Sequence, residues 1–439
     1  MAENSSPLAK TRTVTLGCRL NQYESARMEQ MAAQAGLGNA IIVNTCAVTG
    51  EAVRQARQTI RRLSRDHPES EIIITGCAAQ IDPEGFAAMP EVTRILGNQE
   101  KMKANAWQTI AQTSERVLVN DIMTVRETAP QLLLHGKLSA ARTYVQIQNG
   151  CDHRCTFCII PYGRGNARSV PMGEIVREVQ NLVERGAAEV VLTGVDITSY
   201  GPDLPGRPSL GDVVQKILDL VPDLPRLRLS SIDGAEIDGK LFRLIVEEER
   251  IAPHLHLSLQ AGDDMILKRM KRRHNRAQAI EFCQRVKAAR PEIALGADLI
   301  AGFPTETEAM FENTRRLIGE CDIVYTHIFP FSPRKGTPAA LMPQVDKKTI
   351  KARAALLRAQ GAEQLQRFLK NHIGRIFPVL IESCDGQGHI RGRLADFAEV
   401  KMRAPTNMTV EIGASLPVDI IAHEDASLVG KLHQARGNI

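Results

Sequence analysis

Apolar and polar positions alternate in three successive regimes along this chain. In the first hundred residues, short β-prone runs at Arg12 to Leu16, Ala40 to Val43 and Glu71 to Ile74 each lead into a helix-like stretch, at Gln22 to Ala35, Gly50 to Asp66 and Pro83 to Met89. Strands recurring at about thirty residues with helices between them predict an open parallel sheet with right-handed crossovers. From Ala140 to about Leu369 the alternation resumes, with strands expected at Tyr144 to Ile147, Val190 to Leu192, Arg226 to Leu229, His254 to Leu259, Ala294 to Ile300 and Ile323 to Phe329. Val176 to Glu184 reads as one of the intervening helices. Six or so such units predict a complete or partial parallel barrel. The tail changes period again. Ile376 to Ile381, Gly388 to Arg393, Val400 to Met402, Thr409 to Ile412 and Pro417 to Ala422 read as short strands divided by Gly, Asp and Asn. They predict a small all-β barrel of the general kind that binds RNA. The expected fold class is α/β multidomain: an N-terminal open sheet over 11–110, a linker over 111–138, a central partial (β/α) barrel over 139–369 and a β module over 371–435.

Composition changes this picture only a little. A chain of 439 residues exceeds one typical domain, and 43% apolar content suffices for ordinary cores. No apolar run reaches the roughly 18 residues of a membrane span, and Met1 to Lys10 is polar, without the apolar centre of a secretory signal. A soluble, cytoplasmic protein with no membrane partner is the expectation. The formal charge of +5 permits a polyanionic partner without requiring one.

The cysteines change it most. Of the nine, three sit in the stretch Cys151-Asp152-His153-Arg154-Cys155-Thr156-Phe157-Cys158, spaced C-x3-C-x2-C. Thiolates are soft ligands suited to zinc or iron–sulfur clusters, and a closed site of either kind wants four protein ligands. Three cysteines on a cubane leave one iron open to bind something else. A zinc knuckle or a chance grouping of buried thiols is the competing reading. Cys18, Cys46 and Cys77 each fall just past one of the three N-terminal strands. Open α/β sheets bind ligands along that edge. Three strands would bring three thiols together there, as a second tri-cysteine site or as three structural thiols. In a reducing compartment both groups point to metal ligation rather than disulfides. Cys283, Cys321 and Cys384 are isolated and read as structural.

Small and polar residues recur at the carboxyl ends of the central strands: Thr193, Gly194 and Asp196; Ser231; Ser258 and Gln260; Gly302. Such positions let backbone approach a ligand and supply hydrogen bonds. Two basic groups complete the inventory. Arg54, Arg57, Arg61 and Arg65 share one helix face, and Arg272 and Arg273 belong to a cluster from Arg269 to Arg276. Each is either a solvated face or a surface for nucleic-acid phosphates.

The C-x3-C-x2-C spacing, with Phe157 before the last cysteine, resembles the signature of the radical S-adenosylmethionine (SAM) superfamily. The stretches Gly17 to Asn21, Asn44 to Val48, Gly76 to Gln80, Gly150 to Arg164, Leu257 to Gly262, Gly296 to Glu306 and His327 to Thr337 extend that resemblance to the methylthiotransferases, over nearly the whole chain. The resemblance implies two [4Fe-4S] clusters, on Cys18, Cys46 and Cys77 and on Cys151, Cys155 and Cys158, with SAM as the second cofactor. It implies Phe157 near the SAM adenine, the Thr193–Asp196 and Ser258–Gln260 loops holding its polar groups, and a TRAM-like RNA-binding tail. The stretch Gly17-Cys18-Arg19-Leu20-Asn21-Gln22 is most similar to the branch that methylthiolates C2 of N6-threonylcarbamoyladenosine at tRNA position 37. Relatives acting on N6-isopentenyladenosine or on a ribosomal-protein aspartate are the alternatives within the family. A non-enzymatic iron–sulfur RNA-binding or redox-sensing protein is the alternative outside it. Implied partners are the tRNA anticodon stem-loop, an electron donor such as flavodoxin or ferredoxin, and a sulfur source.

Overall fold

The computed structural model describes residues 11–128, 141–385, 387–404 and 410–433. The first sheet contains β1 (Arg12–Thr15), β2 (Ala40–Thr45), β3 (Glu71–Gly76), β4 (Arg94–Leu96) and β5 (Val117–Leu118), all parallel and in chain order. Helices α1 (Arg19–Gln34), α2 (Gly50–Asp66), α3 (Cys77–Ile81), α4 (Pro83–Ala87) and α5 (Ala104–Gln112) connect them. β2 is apolar and buried on both faces because alternate side chains feed two cores. Ile42 and Ile73 pack with Met28, Met31 and Trp107 of α1 and α5. Ile41, Val43, Ile72 and Ile74 pack with Ile60, Leu63 and Phe86 of α2 and α4. Each such buried side chain contributes about 1.5–3 kcal/mol. Successive strands step across the sheet in one direction while α1 and α2 lie on opposite faces. The crossovers are therefore of both hands, not uniformly right-handed as expected. The sheet also takes β5 from within the stretch read as linker, whose residues 129–138 lie outside the described ones.

The central region has β6 (Arg142–Gln146), a two-residue pair β7 (Gln148–Asn149) and β8 (Arg168–Ser169), and then β9 (Glu189–Thr193), β10 (Leu227–Leu229), β11 (His254–Gln260), β12 (Ala294–Ala301) and β13 (Ile323–Pro330). Between and after them run α6 (Ile160–Arg164), α7 (Met172–Glu184), α8 (Leu210–Leu220), α9 (Gly239–Glu247), α10 (Asp264–Met270), α11 (Arg276–Ala289), α12 (Glu308–Glu320) and α13 (Lys347–Lys370). Parallel sheets β6-β9-β10 and β11-β12-β13 join through bridges at Leu227–Ile251 and Ile232–Leu257. The result is a six-stranded partial barrel. Leu255, Leu257 and Leu259 point outward into the helix-covered core. The alternation of the strand therefore turns His254 and His256 inward, before the register breaks between Leu257 and Gln260.

The tail closes into a barrel of β14 (Ile376–Cys384), β15 (His389–Arg393), β16 (Glu399–Arg403), β17 (Ser415–Glu424) and β18 (Ser427–Leu432). Residues 410–412 form no strand, correcting that expectation, and Thr409 lies outside the described residues. The fifth strand is Ser427–Leu432, which Gly430 disguises in sequence. A Cβ there would fall 2.4 Å from Val418 Cγ1, so the barrel needs a glycine inside a strand. Phe397 locks this module to the rest. Its ring stacks on His254 at 4.9 Å, and the guanidiniums of Arg19, Arg142, Arg228 and Arg393 lie 4.5–5.7 Å from its centroid. Among the described residues no helix is long and apolar enough to cross a membrane.

Candidate active site: two tri-cysteine groups at one junction

The loop Cys151–Cys158 is irregular but tied down on three sides. Cys151 N donates to Gly165 O at 3.1 Å, Thr156 N to Met270 O at 3.2 Å, and Ala339 N to Thr156 O at 2.9 Å. Acidic groups stand behind it. Asp196 Oδ2 lies 3.7 Å from Cys151 Sγ and is held by His153 Nε2 at 2.8 Å and the Ser199 hydroxyl at 2.9 Å. Hydrogen bonds to Asp196 and then Glu236 push His153 up to about 9, so it is an imidazolium at neutral pH. Burial pushes the Cys158 thiol up to about 12 and, with the charge of Asp196, raises Cys151 as well.

The second group is assembled by the sheet edge. Cys18 precedes α1, Cys46 follows β2 and Cys77 opens α3. Gly17 has φ +104°, and a Cβ there would fall 2.7 Å from Cys46 Cβ; only glycine lets the two chain segments pass this closely. Burial pushes the Cys46 thiol up to about 11. The exit of β13 closes over this side, where the Ser332 hydroxyl accepts from Gly50 N at 3.1 Å.

The two groups are neighbours because α6, which directly follows Cys158, packs on α3, which begins with Cys77. A Cβ on Gly163 would sit 3.0 Å from Cys77 Cβ. The next residue, Arg164, is buried and reaches across the junction. Its Nε donates to Cys77 Sγ at 3.1 Å, and its terminal nitrogens bond Asn21 Oδ1 at 2.6 Å and both carboxylate oxygens of Glu24. Lys101, also buried, donates to Glu24 at 2.6 Å.

Burial opposes deprotonation of Cys46, Cys151 and Cys158, and ligation is what would stabilise their thiolates, so these thiols fit a metal-bound state. The donor set distinguishes metals. A tetrahedral zinc with Zn–S of about 2.3 Å needs its sulfurs within about 4 Å of one another. Among the described residues, the ligand groups whose atoms all lie within 4.8 Å are Cys151–His153–Asp196 and His256–Asp298–His327; neither set of three sulfurs is that tight.

Comparison with known proteins gives the same answer. Residues 145–318 match the Radical SAM superfamily model, and residues 10–97 match the Uncharacterized protein family UPF0004. The threonylcarbamoyladenosine tRNA methylthiotransferase MtaB of Rickettsia prowazekii is 55% identical over 84% of this chain and 87% of its own length. The chain belongs to the radical SAM methylthiotransferase family. The tRNA-2-methylthio-N(6)-dimethylallyladenosine synthase of Erythrobacter litoralis is 34% identical over 84% of this chain and 86% of its own. In fold, the chain is similar to the radical SAM methyltransferase TsrM of Kitasatospora setae, with TM-score 0.54 at 13% identity over 76% of this chain and 77% of that one.

In this methylthiotransferase the residues expected to face a cofactor divide. Ser258 and Gln260 are half-buried at the end of β11, and Ser231 is exposed. Phe157 packs edge-on against Phe303 at 6.4 Å, forming an apolar wall beside the cysteine loop. Thr193 is buried, with its carbonyl taken by Ile147 N at 2.9 Å. A Cβ on Gly194 would fall 2.7 Å from Gln148 O, so that glycine serves a backbone crossing. Asp196 stands beside Cys151 and His153. At Gly302 a Cβ would meet Ile350 of α13 at 2.5 Å, which explains the glycine by helix packing.

The basic groups are largely paired with carboxylates. Arg272 is half-buried, bonded to Asp233 at 2.7 Å and Ser258 O at 2.6 Å, with Nη1 3.7 Å from Cys155 Sγ. Arg273 pairs with Glu236. On α2, Arg54 pairs with Glu51, Arg57 with Asp82 at 3.0 Å and Arg61 with Glu91 at 3.9 Å, while Arg65 is exposed near the helix end. That stripe is mostly an internally paired face. Residues that sequence reasoning missed include Glu24, Lys101 and Asn98, the last placing Nδ2 3.7 Å from Cys77 Sγ. It also missed His256, Asp298 and His327 inside the barrel, where Asp298 Oδ1 bonds His256 at 2.9 Å and His327 at 3.2 Å. Lys101 and Glu24 are buried charged positions whose meaning depends on Arg164, far away in the chain.

Proposed function

We infer that this enzyme inserts a methylthio group at C2 of N6-threonylcarbamoyladenosine at position 37 of tRNA. The observation that carries the choice of substrate is the 55% identity to a relative of that name, against 34% for the dimethylallyladenosine synthase. Distant relatives do not separate the branches, since the MtaB of Aquifex aeolicus is also 34% identical.

Cys151, Cys155 and Cys158 would hold one [4Fe-4S] cluster with SAM, and Cys18, Cys46 and Cys77 a second. When bound, these groups supply radical hydrogen abstraction and a place for the sulfur to be transferred. The chain supplies position and exclusion. Phe157 and Phe303 keep water from one side of the core loop, while Asp196, His153 and Ser199 fix the loop's start. Ser258 and Gln260 offer polar groups to a nucleoside inside the barrel. The packing of Gly163 on Cys77 sets the two cysteine groups side by side, which the transfer of sulfur to a carbon radical requires. An anticodon stem-loop, an electron donor such as flavodoxin or ferredoxin, and a sulfur source complete the reaction in the cytoplasm. The β-barrel tail and the exposed end of α2 around Arg65 are the surfaces for RNA.

Mass spectrometry of tRNA nucleosides from a deletion strain tests this reading. The expected result is loss of 2-methylthio-N6-threonylcarbamoyladenosine with accumulation of its unthiolated precursor. Persistence of the methylthio nucleoside would remove the substrate assignment.

A further inference from the structure

We propose that Arg164 is the positioning residue through which the core domain sets the charge balance, and hence the reduction potential, of the N-terminal metal centre. The proposal rests on the reading that Cys18, Cys46 and Cys77 hold a cluster. It concerns what surrounds that cluster.

Arg164 and Lys101 bond the same carboxylate, Glu24, at 3.0 Å and 2.6 Å. Both basic side chains are almost fully excluded from water, Arg164 at 2% and Lys101 at 0% exposure. Among the described residues Arg164 therefore shares its only carboxylate partner, and a buried charge that is incompletely compensated is disfavoured. The other group it meets is Cys77, whose Sγ accepts from Arg164 Nε at 3.1 Å. A ligated thiolate there would complete the pairing. The guanidinium is held for this purpose, with its two remaining nitrogens committed to Asn21 and Glu24 on α1.

Donors to ligating sulfur and nearby positive charge stabilise the more negative, reduced form of a cluster. Beside the core group the charges are paired: Asp196, 3.7 Å from Cys151 Sγ, is bonded by His153 at 2.8 Å. Arg272, 3.7 Å from Cys155, is bonded by Asp233 at 2.7 Å. The direct guanidinium donor to a cysteine sulfur at 3.1 Å is therefore a feature of the N-terminal centre, where it favours the reduced form. Arg164 is six residues beyond Cys158, so the N-terminal site has its full electrostatic surroundings only when both domains are docked.

The test is a potentiometric titration, followed by electron paramagnetic resonance, of full-length protein carrying Cys151→Ala, Cys155→Ala and Cys158→Ala, in which only the N-terminal cysteines can load iron. Arg164→Gln is expected to keep its iron and shift the midpoint negative by about 59 mV or more, a tenfold change in the one-electron ratio. Arg164→Lys should shift less, because it keeps the charge but loses the fixed fork. Glu24→Gln should shift the midpoint the other way, because it removes the compensating anion. A loaded Arg164→Gln centre titrating with its parent would overturn the proposal and leave Arg164 a packing residue. Should Arg164→Gln fail to load, the lysine and Glu24→Gln variants decide: opposite shifts support the proposal, and coincident midpoints overturn it. A parent protein without any cluster would instead sink the underlying assignment of the three cysteines, a failure recognisable by iron content alone.

Discussion

The two cysteine groups of this molecule are alike in number and opposite in construction. In the core, three thiols lie within one eight-residue loop, and its neighbours are paired charges: Asp196 with His153 beside Cys151, and Asp233 with Arg272 beside Cys155. In the N-terminal domain, three strands deliver one thiol each, and the neighbours are the buried cations Arg164 and Lys101. A local loop carries its own geometry wherever it is placed. A site spread over β1, β2 and β3 exists only if the sheet forms in register, and its charges are balanced only if a second domain supplies Arg164. The first is a motif; the second is a property of the fold.

That contrast can be broken most sharply at the cysteines. Cys155→Ala is expected to abolish formation of 5′-deoxyadenosine from SAM in anaerobically reduced protein. Cys77→Ala should retain most of that cleavage yet transfer no methylthio group. Loss of cleavage in both variants would mean the groups do not work separately. The next largest effect is expected at Glu24. Replacing it with Leu strands two buried cations and should cost about 3–5 kcal/mol in urea unfolding. A cost under 1 kcal/mol would show that the junction tolerates the loose charge. Gly163→Val comes third, because its side chain would be driven into Cys77; about 1–3 kcal/mol of overpacking is expected. Iron loss from the N-terminal site before the core site would accompany it, read by iron content per polypeptide. The smallest effect belongs to Thr49→Ala, which removes the acceptor for Ala52 N at the start of α2. About 1 kcal/mol of stability should go, with the spectra of both centres unchanged. A change in either spectrum would mean that the cap also positions Cys46.

Most of the architecture could be read along the chain, and the reasons are particular. The core strands were legible either as short apolar runs bounded by polar residues, as at Val190 to Leu192 inside β9, or by strict alternation, as at His254 to Leu259 inside β11. Gly50 to Asp66 matched α2 in full because Thr49 caps it and Arg65 sits in its last turn. β5 was missed because two residues, Val117–Leu118, carry no periodicity, and β18 because Gly430 interrupts its pattern. The arginines misled for a different reason. Charge alone does not say whether a side chain meets solvent or a carboxylate, and Arg272 and Arg57 found Asp233 and Asp82.

What the amino-acid order determined by itself was the set of thiols, their spacing, the alternation of strands and helices, and through these the family. What only the tertiary structure decided was which charges face those thiols. Backbone periodicity and ligand spacing are local, fixed by neighbours a few residues away. The partner of a buried charge is chosen by packing, and Arg164 found its carboxylate 140 residues away along the chain, in Glu24.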